Sequence, residues 1–344
     1  PDAMERADSS EVLGQVDRPS SGVLFSEPPL PYARDSLLMS ADDDVKAKEA
    51  EALFKIHGVD QRSAELAFSH RALGGDEAPV RMRQDGSTSK AFVPGTSTVI
   101  WPCAYSLGDY LCDATTAYKA KLDDGAAGDA TEAAAVGAVT ADTVAVELGA
   151  GLGLGGMVAA RLGAAHVAIT DSTPAAAARN VDANSLGNAH VSELWWRRAA
   201  WRRAPRKDGD ESESDIDDED TTVPTAEDAG KPLLASLPNR RAPHMIIGSD
   251  ICYSQGKQEM QMLADTVSAM CEPGRTVVYV VFEDRGDCCW GTLNHFWTAA
   301  EGAGLFGDPT PIEDIEIGGK RRSGPGRHND SERLLLRLTK RAAS

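Results

Sequence analysis

From Thr143 to Phe282 the chain alternates between two hydrophobic rhythms. Runs of strand length stand at Thr143–Leu148, His166–Thr170, His190–Leu194, His244–Ser249 and Thr276–Phe282, each predicted as a strand, with Thr143–Leu148 short, apolar and buried. Between them lie stretches predicted as helices: Leu154–Leu162, Pro174–Asn184 with proline near its start, and Lys257–Met270 with Met262, Leu263, Val267 and Met270 at roughly helical spacing. Thr276–Phe282 is the longest apolar run and is expected to be a central strand. Beyond it, Leu293–Glu301 reads as a helix and Ile312–Ile317 and Leu334–Leu338 as closing strands, separated by the glycine- and arginine-rich turn Gly318–Arg327. Strands alternating with helices imply βαβ units and a mostly parallel sheet. Ligands of such sheets bind beyond the carboxyl ends of the strands.

Upstream the rhythm is weaker. Residues 1–45 carry Ser, Pro and Asp without a sustained period and read as a mobile lead-in. Residues 46–89 are expected to be an N-terminal helical region, because Ala41–Leu73 has helix-forming composition with Leu53, Ile56, Leu66 and Phe68 as inward positions. A further helix is predicted to begin near Pro102, since proline is tolerated in a first turn. The core is expected to span 90–341, interrupted by insertions at 123–142, rich in Ala, Gly, Asp and Thr, and at 203–231.

Charge and cysteines narrow the classes. The formal net charge is −18, which argues against a general nucleic-acid binder because phosphate would be repelled. Asp208–Asp220 holds nine acidic residues among thirteen, directly after a run with six basic ones between Arg197 and Lys207; this reads as a solvated, self-neutralising loop. Six cysteines form no CxxC and no regular framework, so reduced thiols in the cytoplasm, or the nucleus, are expected. No apolar run approaches the ~20 residues that span a bilayer. The histidines show no metal-ligand spacing, and no metal is expected. Nor is there a GxSxG elbow or a GxxxxGK[ST] phosphate loop.

The first strand ends in Val146-Glu147-Leu148-Gly149-Ala150-Gly151-Leu152-Gly153 and opens a helix. Glycines suit a place where any Cβ would block the approach of backbone to a cofactor. Asp171 ends the second strand, 22 positions after Gly149, where a carboxylate can accept from ribose hydroxyls. Gly151, Gly153 and Gly156 also satisfy GxGxxG, so NAD stays open on the glycines alone. Glu147, two residues before Gly149, favours a ligand carrying an amine and a positive sulfur, such as S-adenosylmethionine.

Four segments then carry a resemblance. Val99-Ile100-Trp101-Pro102-Cys103-Ala104 precedes the core, with Leu107 and Tyr110-Leu111 after it. The glycine loop with Asp171 follows, then Glu193-Leu194-Trp195-Trp196 at the third strand, and last Ile246-Ile247-Gly248-Ser249-Asp250-Ile251-Cys252-Tyr253 at the fourth. In this order they resemble the seven-β-strand protein lysine methyltransferases, methyltransferase family 16, the group with chaperone-, AAA-ATPase- and calmodulin-directed members. The resemblance implies an α/β, Rossmann-like seven-β-strand methyltransferase sheet with helices on both faces, here with an N-terminal extension. It further implies that Trp101, Gly149, Ala150, Gly151, Asp171, Trp196 and Ser249 line the S-adenosylmethionine site, with Gly153 completing the loop, Asp171 at the ribose and Trp196 over the adenine. The chain departs from the group's pattern at Trp195, often small or acidic there, and at Arg197, usually glycine.

Transfer of a methyl to an amine requires the neutral amine aligned with the donor. A lysine, with a reference pKa near ~10.4, must lose its proton in a partly desolvated channel. Asp250 is placed to orient the amine or its leaving proton, and Tyr253 to wall the channel; the plainer role for Asp250 is a cap on the following helix. The expected activity is methylation of a protein side-chain nitrogen, most simply lysine, by a monomer acting on a protein substrate without nucleic acid or membrane. Histidine or small-molecule amine acceptors, and a non-catalytic binding module retaining the fold, are the alternatives.

Overall fold

The computed structural model describes residues 63–84, 98–196, 233–252, 256–283, 287–317, 320–321 and 333–342, all within the unit Ser40–Ser344. It opens with an antiparallel hairpin, β1 (Glu65–Phe68) and β2 (Val80–Arg83). The helix expected over Ala41–Leu73 is therefore absent from its described part: Leu66 and Phe68 lie on β1, and Leu73 ends a 3-10 turn. Val80 and Met82 are buried while Arg81 and Arg83 are exposed, a period of two that overrides helix-forming composition. Leu53 and Ile56 lie outside the described residues, as does the segment 203–231.

Between Thr143 and Phe282 the core elements follow the predicted rhythm to within a few residues at their ends, while the helix expected at Leu293–Glu301 spans Asp287–Gly302. They are α1 (Pro102–Asp123), α2 (Ala130–Ala135), β3 (Val144–Leu148), α3 (Leu154–Arg161), β4 (His166–Asp171), α4 (Ala175–Ala183) and β5 (Ala189–Glu193). Then come β6 (Met245–Ser249), α5 (Lys257–Met270), β7 (Val277–Glu283), α6 (Asp287–Gly302), β8 (Leu305–Phe306), β9 (Pro309–Pro311), β10 (Glu316–Ile317), β11 (Lys320–Arg321) and β12 (Arg333–Lys340). The main sheet runs β5-β4-β3-β6-β7-β12-β8, with β9 alongside β12. The first five strands of that order are parallel, and β12 returns antiparallel against β7.

Side chains alternate between two cores. Ala145, Met245, Ile247, Tyr279 and Val281 pack under α1, α3 and α4, whereas Val146, Ile246, Val278 and Val280 pack under α5 and α6. Both faces of β3 and β7 are buried, which explains their nearly continuous apolar sequences. The fold is a Rossmann-like α/β sheet with helices on both faces.

Two expectations need correction. The alanine-rich stretch 123–142 is no surface insertion. Ala130, Ala133, Ala134, Ala138 and Val139 are buried, and Tyr279 donates its hydroxyl to Ala134 O at 2.8 Å. Alanine composition resembles a linker, yet small side chains are what let this short helix approach α1 and β7 closely. Ile312–Ile317 also fails as a closing strand of the main sheet. Ile312–Asp314 is a 3-10 turn, and Glu316–Ile317 pairs with Lys320–Arg321 in a separate ribbon. Proline at 309 and 311 marks this chain segment as a sheet edge.

Candidate active site

The turn between β3 and α3 holds three left-handed glycines, Gly149 (φ +57°), Gly151 (φ +53°) and Gly153 (φ +84°), a run that residues with a Cβ adopt only at a cost. Backbone bonds fix it: Ala150 N–H donates to Thr170 O at 3.0 Å and Gly153 N–H to Ala150 O at 2.7 Å. A Cβ on Gly149 would meet Ile251 Cγ2 at 2.6 Å and the Trp196 ring at 3.4 Å. The loop, the end of β5 and the turn after β6 therefore meet at this glycine.

Two carboxylates hold the loop. Asp171 Oδ2 accepts from Gly151 N–H at 2.8 Å, and its Oδ1 accepts from Thr173 N–H at 2.9 Å. Asp171 thus ties the glycine loop to the turn after β4, at the position expected for ribose. Glu147 is fully buried and accepts from Gly156 N–H at 2.9 Å. A Cβ on Gly155 or Gly156 would come within 2.7 or 2.8 Å of its carboxyl oxygens. Burial pushes the Glu147 carboxyl up to about 8, against the downward pull of the Gly156 and Gly155 N–H groups.

This placement revises the expected part of Glu147. Its side chain lies beneath α3 and braces the loop from the core, so its reach is to backbone amides and not to a ligand above the loop. It also bears on the dinucleotide alternative. A pyrophosphate needs the N–H groups at the start of the helix, and in this chain the Gly155 and Gly156 groups already serve a buried carboxyl. Gly156, which completes GxGxxG, is glycine because Glu147 and Ile169 crowd it.

The tryptophan pair divides in two. Trp196 is half-buried against the second core and over Gly149. Trp195 is exposed, and its indole N–H donates to Glu193 Oε1. Of the two rings, Trp196 is the one beside the loop. Trp101 stands immediately before α1, whose Leu107 packs beside Gly155 at the start of α3. Ser249 ends β6 opposite Val281.

Asp250 follows directly. It is buried, its N–H donates to Val281 O at 2.8 Å, and its φ is +53°. Aspartate tolerates the left-handed region better than most residues, though still at a cost. Helix α5 begins instead behind Gly256, which makes no side-chain cap bond, so Asp250 is not the cap of that helix. Burial, and then the nearby Asp250 charge, raise the Cys252 thiol well above its ordinary range. Tyr253 lies outside the described residues.

Sequence reasoning passed over Ile251, whose methyl closes the space over Gly149, and Glu283, a buried carboxylate at the carboxyl end of β7. The one available signal for Glu283 was an acid ending the longest apolar run. Among the described residues no group of His, Cys, Asp or Glu could hold a metal ion, and no helix is long and apolar enough to cross a membrane.

Residues 77–209 match the family model described as lysine methyltransferase. Over this segment the chain is similar to that family. The matched segment spans the glycine loop, Asp171 and Trp196, and S-adenosylmethionine is the cofactor that the likeness implies. No curated protein matches the chain. Among solved structures, the chain is similar to a TehB-like SAM-dependent methyltransferase from Corynebacterium glutamicum, at 11% identity over 66% of this chain and 95% of that one, with a TM-score of 0.36. It is also similar to the N-methyltransferase NodS of Bradyrhizobium japonicum, at 12% identity over 67% and 94%, with a TM-score of 0.33. The site fits the cofactor in its own terms: a cradle that a Cβ on Gly149 would fill, a carboxylate at Asp171 and an indole face at Trp196.

Proposed function

We propose that this methyltransferase modifies a side-chain nitrogen of a protein, most simply a lysine, and that Asp250 and Tyr253 form the acceptor side of its site. The observation that supports the lysine reading is the lysine methyltransferase match over 77–209; the parts given to Asp250 and Tyr253 rest on the Asp250–Tyr253 sequence motif and on the buried, left-handed Asp250. When bound, the cofactor supplies a methyl group on a positively charged sulfur. The chain's residues have the remaining tasks. Gly149, Ala150, Gly151 and Gly153 admit the cofactor to the backbone, and Asp171 receives ribose hydroxyls. The Trp196 ring covers an adenine face and excludes water, with Trp101 and Ser249 completing the walls.

Asp250, held at the mouth of β6, orients the incoming amine and accepts a hydrogen bond from it at Oδ, which favours one direction of attack. Tyr253 borders the channel in which the amine sheds its proton. Glu147 acts from below by fixing the loop. The reading is tested by incubating the chain with methyl-labelled cofactor and a cell extract, then locating the labelled residue by mass spectrometry. Label on lysine in a protein is the expected result. Label confined to small metabolites would remove the protein acceptor, and label on histidine would replace lysine.

A further inference from the structure

Arg333 occupies a junction that the methyl-transfer chemistry does not by itself require. It opens β12 directly opposite Glu283, the last residue of β7, with Nε 3.9 Å from Glu283 Oε1. Its Nη1 donates to Ser106 Oγ at 3.1 Å. Glu283 and Ser106 are both buried. One guanidinium therefore reaches the carboxyl end of a strand and the second turn of α1.

The direction of α1 gives this junction its meaning. Ser106 lies near the carboxyl end of β7, whereas Tyr110 packs on Tyr279 farther down the strand, their ring centroids 5.5 Å apart. Helix α1 thus runs back along β7, and its start, with Trp101 before it, lies at the end of the sheet where the glycine loop stands. Leu107, next to Ser106, packs beside Gly155 at the head of α3. On the other side, Gln84 at the end of the hairpin accepts from Ile100 N–H at 3.0 Å and donates to Ser63 O at 2.6 Å. The chain entering Trp101 is pinned by a neutral amide, and the turn leaving it by a cation.

We propose that Arg333 is a positioning residue for the cofactor-facing start of α1, linking Ser106 to Glu283 so that the last strand of the sheet sets the place of Trp101. This rests on the cofactor reading of the glycine loop. The planar fork of arginine suits two partners at once, which a lysine ammonium on a flexible stem does less well.

The test uses the full chain labelled with 5-fluorotryptophan, with Trp101→Phe identifying the Trp101 fluorine signal, and S-adenosylhomocysteine as the binding probe. Ser106→Ala, which removes one hydroxyl and spares the Arg333–Glu283 pair, and Arg333→Met should each move the Trp101 signal and weaken probe binding about tenfold, the lower end of the scale of a hydrogen bond to a charged group. The double variant should be no weaker than Arg333→Met, because both break one link. Arg333→Lys should recover part of the affinity. Folded variants that keep the Trp101 signal in place and bind within about twofold of the parent would overturn the proposal. Failure of the parent chain to bind the probe would instead sink the cofactor reading, and the Trp101 signal alone would then decide whether Arg333 positions α1.

Discussion

Two turns at the carboxyl ends of neighbouring strands solve the same backbone problem differently. After β3 the chain enters the left-handed region three times and uses glycine each time. After β6, among the described residues, it enters at Asp250 and keeps a carboxylate. The first turn is braced from below by Glu147 and from the side by Asp171; it clears space for a ligand at little conformational cost. The second retains an unfavourable conformation at a buried acid, a combination that persists where the side chain is needed. Under the proposed function, cradle and chemistry fall to different turns, and Gly149 with Ile251 is where they touch.

The largest expected effect separates them outright. Asp250→Ala should lower methyl transfer by about 10²- to 10⁴-fold, the range for a positioned proton-handling group, and leave cofactor affinity unchanged. Asp250→Gly should lose transfer equally while being more stable than the alanine variant by roughly 1 kcal/mol, because glycine relieves the left-handed strain. Retained transfer in either variant would return Asp250 to a structural role.

The glycine side should break the opposite way. Gly149→Ala places a Cβ 2.6 Å from Ile251 Cγ2 in a left-handed residue, and binding titrations should show cofactor affinity reduced by about 100-fold. A smaller loss sharpens the contrast between the tryptophans: Trp196→Ala should cost about tenfold in cofactor affinity, on the scale of an aromatic platform under a base, and Trp195→Ala almost nothing. Equal effects would place the exposed ring at the adenine.

The smallest effect concerns pH. The Glu147 carboxyl holds its proton more tightly folded than unfolded, at about 8 against an ordinary 4.5. Its contribution to stability is complete below about 4.5 and is lost as pH rises through about 8. His166 and His244 work in the other direction. Burial first, with the neighbouring positive partners, pulls both below 6.5, so stability falls as pH drops beneath that value. Melting temperature against pH should therefore decline on both sides, and Glu147→Gln should flatten the alkaline side and steepen the acid side down to about 4.5.

Much of this architecture was legible because strands buried on both faces announce themselves as apolar runs, and Val144–Leu148 and Val277–Glu283 are such strands. The hairpin at Glu65–Arg83 was not, since four-residue strands held by asparagines in and just after α4 leave little periodicity; Asn180 and Asn184 bond the backbone of Arg83 and Arg81. The buried alanines at 130–138 were misread because alanine composition does not separate a close-packed helix from a linker. At the site, the glycines and Asp171 were readable from spacing. The direction of the Glu147 side chain was not, because a carboxylate two residues before a glycine faces ligand or core only as the strand's pleat dictates. Glu283 and Arg333 were hidden by the 49 residues between them.

The central claim is that the β3 turn is built for S-adenosylmethionine and not for a dinucleotide. Calorimetric titration of the chain with each ligand tests it most directly. Saturable heat with S-adenosylmethionine, lost in Gly149→Ala, and none with NAD is the predicted result. Saturable heat with NAD and silence with S-adenosylmethionine would contradict it.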